Sequence, residues 1–150
     1  MTPRAGSATG GLSPAATRKQ STGTAPAGKF AITEAFGLKQ NPNTSLPWKA
    51  PTGDSYWVLD PNSQFYNQLR QRGQGGFRTG PSERLVDFKG QYGYAAVIDY
   101  NRAPAVKGKG GAIFLHVHGQ STTAGCVSIT STNLQLFLQA VTSGDEITIQ

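Results

Sequence analysis

The chain has a single cysteine in 150 residues. That excludes an internal disulfide framework and a zinc ribbon built on several thiolates. It has no run of about 18 apolar residues, so no segment reads as a membrane-spanning helix. The apolar stretch of a secretory signal is missing too, so a protein working outside the cytoplasm is expected to have had its export signal removed. Acidic residues are scarce: eight stand against fourteen Lys and Arg, for a formal charge of +6 and a pI near 9.7. A basic balance suits anionic partners such as nucleic acid, a membrane surface or a cell-wall polymer. The excess is partly local, however: Arg4, Arg18 and Lys19 are uncompensated in the first 28 residues, and the remainder carries eleven basic and eight acidic residues. Charge alone therefore singles out no partner.

Residues 1–28 contain no aromatic side chain, and 22 of these 28 are Ala, Gly, Pro, Ser or Thr. Such a segment has little apolar surface to set against its ordering entropy. It reads as a disordered tail or linker, with a folded domain over residues 29–150. From Lys29 onward short segments rich in strand formers alternate with turn signals. "KFAITEAFG", "SYWVLD", "YAAVIDY", "AIFLHVH", "CVSI" and "EITIQ" are the expected strands. "NPN", "PTGD", "DPNS", "GQGG", "TGPS" and "VKGKGG" separate them. Arg70 to Gln91 reads as a long Gly-rich loop or lid. A short helix is expected in "SQFYNQLRQ". A clearer one lies in "STNLQLFLQAVTSGD", with Ser131 as N-cap, Leu134, Phe137, Leu138 and Val141 as its apolar stripe, and Gly144 as its stop. The expected fold class is mainly β: a sandwich or half-open barrel with one C-terminal helix packed on it and a short second helix.

Histidine is nearly as rare as cysteine. Both histidines and the cysteine fall within "HVHGQSTTAGCVSI", His116 to Ile129. On a strand the side-chain period is two. Ile113, Leu115 and Val117 then share an apolar face, and Phe114, His116 and His118 share the opposite one. Cys126 and Ser128 likewise alternate with Val127 and Ile129. A loop folding back would bring Cys126 beside the histidine face. Three readings of the stretch stand side by side. A thiolate nucleophile with an imidazole proton carrier would perform acyl transfer, with Gly125 letting the backbone N–H groups approach an oxyanion. Two histidines and a thiol would make a zinc or copper set, although the stretch holds no carboxylate. A buried cysteine acting as a small hydrophobe would need neither.

The ordered set of segments resembles the catalytic domain of the L,D-transpeptidases, the YkuD-type family. "GGAIFLHVH" is similar to the family's histidine strand and "TAGCV" to its nucleophile motif. "FAITEAFG", "YWVLDPNSQFYN" and "AVIDYNRAP" are similar to upstream segments of the branch that carries Thr-Ala-Gly-Cys. The resemblance spans residues 29–150 and implies roles. Cys126 matches the nucleophile that attacks the diaminopimelate carbonyl of a donor tetrapeptide stem and releases D-alanine. His116 matches the proton carrier, with His118 as the alternative base. The N–H groups of Gly125 and Cys126 match the oxyanion donors. Thr123 takes the hydroxyl position of the motif, and Tyr100, Asn101, Arg102 and Ser128 are candidate substrate contacts. Ala124 replaces a histidine of the commoner motif, and Ser128 stands where many members have Asn or Arg. The acyl group would pass to an amine of an acceptor stem, giving a 3→3 cross-link, or to water in an L,D-carboxypeptidase. A domain that only binds peptidoglycan is the non-enzymatic alternative. No cofactor or metal is implied. The expected partners are peptidoglycan stem peptides, with no nucleic acid, in an extracytoplasmic, cell-wall setting and as a monomer. Trp48 and Trp57 read as packing residues, and Asp60, Tyr66 and Asn67 as a buried polar network.

Overall fold

A computed structural model describes residues 11–102, 104–119 and 126–150. In chain order its strands are β1 (Leu12–Pro14), β2 (Ala25–Phe36), β3 (Trp48–Lys49), β4 (Ser55–Trp57), β5 (Leu69–Gln71), β6 (Glu83–Arg84), β7 (Ala95–Ile98), β8 (Phe114–Val117), β9 (Val127–Ile129) and β10 (Glu146–Ile149). One helix, α1 (Ser131–Ala140), lies between β9 and β10. The main sheet runs β1-β2-β7-β8-β9, with β3 and β10 also pairing along β2. A second sheet runs β5-β4-β6. The class is mainly β, as the strand pattern predicts.

The layers follow from side-chain alternation. All four residues of β7, Ala-Ala-Val-Ile, are buried, which a strand covered on both faces requires. Ala96 and Ile98 join Ile113, Leu115 and Ile129 in a core closed by Leu134, Leu138 and Val141 at α1. Ala95 and Val97 point the other way, into a second core with Phe36, Trp57, Leu85, Tyr92, Phe114 and Cys126. Aromatic edges lock that second core: Phe114 meets Phe36 at 5.0 Å and Trp57 at 4.9 Å between ring centroids. In β2, Ile32 and Ala35 both face the helix side although three positions separate them. A register shift against β7 between Ile32 and Glu34 inserts the extra residue that makes this possible.

Several expectations are corrected. Residues 63–71 form no helix; they make turns and then β5, which pairs antiparallel with β4. Asn67 is the reason. Its backbone is left-handed at φ 61, which interrupts any helix. Its buried side chain accepts from Trp57 Nε1 at 2.7 Å and Ala112 N at 3.0 Å, and donates to the carbonyls of Tyr100 and Asn101. All four hydrogen-bonding positions of the amide are thus filled inside the fold. Asp60 pairs with Arg78, and the Tyr66 hydroxyl bonds Gln20 and the Gly110 N–H, so the three polar residues serve neighbouring but separate contacts. The cap of α1 is Thr130, one residue before Ser131, its hydroxyl accepting from Asn133 N. The helix ends at Ala140; Gly144, at φ 95, sits in the turn before β10. The stretch from Arg70 to Gln91 is not one open loop: it holds β6 and short 3-10 turns and buries Leu85 completely.

The expected tail is corrected most. Ala25 to Gly28 are the first residues of β2, and Leu12–Pro14 pairs parallel with Ala25–Ala27. Between them Arg18 is 4% exposed. Its Nε donates to Thr24 O and its Nη1 to Lys109 O, while its guanidinium lies over the Tyr100 ring. Composition missed this because the segment brings little apolar surface of its own, chiefly Ala15, Ala25 and Pro26. It is held by backbone hydrogen bonds and by one long cationic side chain whose stem buries well.

Candidate active site

β8 and β9 run parallel, with His116 opposite Ser128 and Leu115 opposite Val127. Cross-strand partners project to the same side of a sheet. His116, Ser128, Phe114 and Cys126 therefore share the face away from α1; the period-two pattern gives the alternation within each strand, and the β8–β9 pairing joins the two. Cys126 stands just before β9. Its thiol donates to the Ala112 carbonyl at 3.1 Å, and the Phe114 N–H points at its sulfur at 3.4 Å. His116 is 3% exposed, and its Nδ1 sits 2.8 Å from the Val117 carbonyl. A carbonyl can only accept, so Nδ1 carries the proton and Nε2 keeps the lone pair. This supplies the orienting group that a valine after the histidine leaves to the backbone.

Cys126 and His116 line one cavity of about 500 Å³. Burial pushes the Cys126 thiol up to about 12; the charge of Glu83 adds to the rise, and the Phe114 N–H and Arg18 oppose it. Burial also lowers His116, helped by the charge of His118 and opposed by the Val117 carbonyl. At neutral pH the pair at rest is thiol and neutral imidazole. A thiolate then has to form as the proton passes to Nε2, and a substrate that excludes water and supplies an oxyanion favours that transfer.

His118 is placed differently. It is exposed, its Nδ1 lies 2.8 Å from Ser128 Oγ, and it lines not the Cys126 cavity but a neighbouring one of about 490 Å³, which shares Phe88 and Gln91 with it. Ser128 is thereby engaged with His118. Tyr100, Asn101 and Arg102 do not line the Cys126 cavity. The Tyr100 hydroxyl donates to Lys109 O. Asn101 ties down its own loop through Val106 and Gly110. Arg102 is ion-paired with Glu34 at 2.8 Å and Asp99 at 3.1 Å, on the Trp57 ring. Thr123, Ala124 and Gly125 lie outside the described residues. Among the described residues no three His, Cys, Asp or Glu side chains converge as a metal-ligand set.

Three residues of the cavity were not singled out in the sequence. Arg18 forms part of one wall, with Gln20 beside it. Among the described residues no carboxylate pairs with Arg18, whereas Arg72, Arg78, Arg84 and Arg102 each have one. Glu83 and Tyr92 also line the cavity. The Tyr92 hydroxyl donates to Glu83 Oε1, and the Tyr92 ring meets the His116 ring edge-on at 5.6 Å. Burial raises the Glu83 carboxyl, and the Tyr92 bond pulls it back. The one available signal was scarcity: in a chain with few acids, a carboxylate in "SERL" stands out.

A family description for the L,D-transpeptidase catalytic domain, YkuD, matches residues 4–149. No curated protein and no solved structure matches the chain significantly. The match covers nearly all of the sequence, and the chain belongs to the L,D-transpeptidase catalytic-domain family. The family consists of cysteine-dependent enzymes acting on peptidoglycan, and Cys126 is the one cysteine present.

Proposed function

We propose that the protein is a peptidoglycan L,D-transpeptidase that uses Cys126 as nucleophile and His116 as proton carrier. The observation carrying this reading is that Cys126 and His116, alone of the three candidate side chains, line one cavity on the same sheet face. The Cys126 thiol gives its proton to His116 Nε2 as sulfur attacks the carbonyl at the L-centre of diaminopimelate in a donor tetrapeptide. The N–H groups of Gly125 and Cys126 take the oxyanion. His116 protonates the leaving D-alanine amine, and a thioester remains on Cys126. An acceptor amine then displaces the sulfur and forms a 3→3 cross-link; water in its place gives the carboxypeptidase reaction. Thr123, in the hydroxyl position of the motif, and Ser128, held by His118, are the proposed substrate contacts next to the nucleophile in sequence. The buried Arg18 cation suits a donor carboxylate, since a buried charge without a counter-ion is costly until a ligand supplies one. The setting is extracytoplasmic, at the cell wall. No helix among the described residues is long and apolar enough to cross a membrane.

The test combines a carbapenem and a disaccharide-tetrapeptide with intact mass and peptide mapping. A carbapenem adduct on Cys126 and release of D-alanine are the expected results. Retained sacculus binding without adduct or turnover would instead mark a binding domain.

A further inference from the structure

Eight acidic residues occur in the chain, and five of them pair with arginines: Asp54, Asp60, Asp87, Glu34 and Asp99. Asp145 and Glu146 sit in and after the exposed turn that follows α1. Glu83 is the exception, half-buried and facing the Cys126 cavity without a cation beside it among the described residues. One of its oxygens, Oε1, accepts from Tyr92; no hydrogen bond to Oε2 occurs among the described residues. A half-buried carboxylate with an unused oxygen is a poor packing element and a good receptor for an ammonium group.

Its position gives the receptor a use. A second cavity of about 450 Å³ adjoins the first, and the two share Leu59, Pro81, Glu83 and Phe88. Glu83 is the one ionisable residue in that shared wall. A transfer enzyme must bring a second substrate to a thioester already occupying the first cavity, and that substrate carries its nucleophile as an ammonium ion at neutral pH. We propose that Glu83, held by Tyr92 on the seam between the two cavities, receives the ammonium group of the acceptor stem and delivers it as an amine to the Cys126 thioester. The inference rests on the transpeptidase reading above.

The protons balance as follows. The Glu83 carboxylate takes one proton from the ammonium, whose nitrogen thereby gains a free lone pair. That nitrogen bonds to the thioester carbonyl carbon, and the carbon–sulfur bond breaks. A second amine proton passes through His116 Nε2 to the departing Cys126 sulfur. Glu83 then returns its proton to solvent, so thioester and ammonium become amide, thiol and one released proton. Burial raises the Glu83 carboxyl, in the direction that eases the first transfer. The same negative charge opposes a free thiolate at Cys126, so an arriving cation also relieves the nucleophile's surroundings.

The experiment preforms the Cys126 acyl-enzyme with a donor tetrapeptide stem and follows its partition by mass spectrometry. Two nucleophiles compete with water: a stem peptide bearing a free side-chain amine, and hydroxylamine, which is uncharged at neutral pH. Glu83→Gln is expected to lower transfer to the stem amine roughly tenfold more than transfer to hydroxylamine, the size of a lost charge-assisted contact. Glu83→Asp, which keeps the charge, is expected to recover part of that ratio. Equal loss with both nucleophiles, or an unchanged ratio in Glu83→Gln, overturns the assignment of Glu83 while leaving the transpeptidase reading intact. Absence of an acyl-enzyme in the unaltered protein overturns both.

Discussion

The two faces of β8 make the sharpest contrast in the molecule. Ile113, Leu115 and Val117 pack under α1 with Leu134 and Leu138, all five of them hydrocarbon side chains. One residue away in each case, Phe114 and His116 face a side shared with Cys126, Tyr92 and, across the cavity, Arg18 and Glu83. The first face repays its ordering by removing hydrocarbon from water. The second holds a thiol, an imidazole, a carboxylate and a guanidinium at reduced hydration, which stabilises nothing by itself. A strand that carried two apolar faces would be the more stable choice. That polarity fits the acyl-transfer role proposed for the face, and the layer beneath it, Phe114 locked among Phe36, Trp57 and Tyr92, supplies the rigidity.

The contrast can be broken from either side. Cys126→Ala should lower D-alanine release by at least about a thousandfold, while the melting temperature stays level or rises. A large fall in melting temperature would mark Cys126 as a packing residue instead. His116→Ala should reduce acylation by roughly 10²–10⁴-fold, and His118→Ala far less. If only the His118 variant loses the carbapenem adduct, the two histidines have been assigned in reverse. On the opposite face, Leu138→Ala should cost about 2–5 kcal/mol in denaturant unfolding, with turnover per folded molecule preserved, because Leu138 is fully buried and remote from the cavity.

Two smaller effects sharpen the comparison. Arg18→Met should raise the donor KM roughly tenfold with less change in kcat, as lost carboxylate binding would. Arg102→Met should act on stability, by roughly 1–3 kcal/mol, because it removes the cation paired with Glu34 and Asp99. Equal behaviour of the two arginines would remove Arg18 from the site. Iodoacetamide trapping should follow the raised thiol: with Cys126 pushed up to about 12, alkylation keeps climbing with pH beyond about pH 10, where an ordinary thiol has levelled off. Glu83→Gln removes a charge that opposes the thiolate, so its curve should lie at lower pH.

Much of this site can be read from the chain because it is written in short periods. The alternation in "AIFLHVH" assigns His116 to the face opposite Leu115, and the same alternation in "CVSI" assigns Cys126. The 3.6-residue stripe of α1 names Leu134 and Leu138 as the cover of the other face. The reading fails where contacts cross long separations. Asn67 looks like a helix residue until its amide is seen joining Trp57, Tyr100 and Ala112. Arg102 looks like a carboxylate receptor until Glu34, far back in β2, is found beside it.

The sequence by itself therefore determined the strand phases, the helix that covers one side, and the crowding of His116, His118 and Cys126 into one short stretch, since each is set by residues a few positions apart. Only the tertiary structure decided what walls the cavity. Arg18 reaches it because a glycine- and alanine-rich segment is held by backbone bonds rather than by an apolar pattern of its own. Glu83 reaches it because Tyr92 binds its carboxyl and β6 pairs with β4. A local pattern records how a segment meets water. It does not record which distant segment will arrive to exclude that water, and at this site that exclusion makes a thiol, an imidazole and a carboxylate into chemistry.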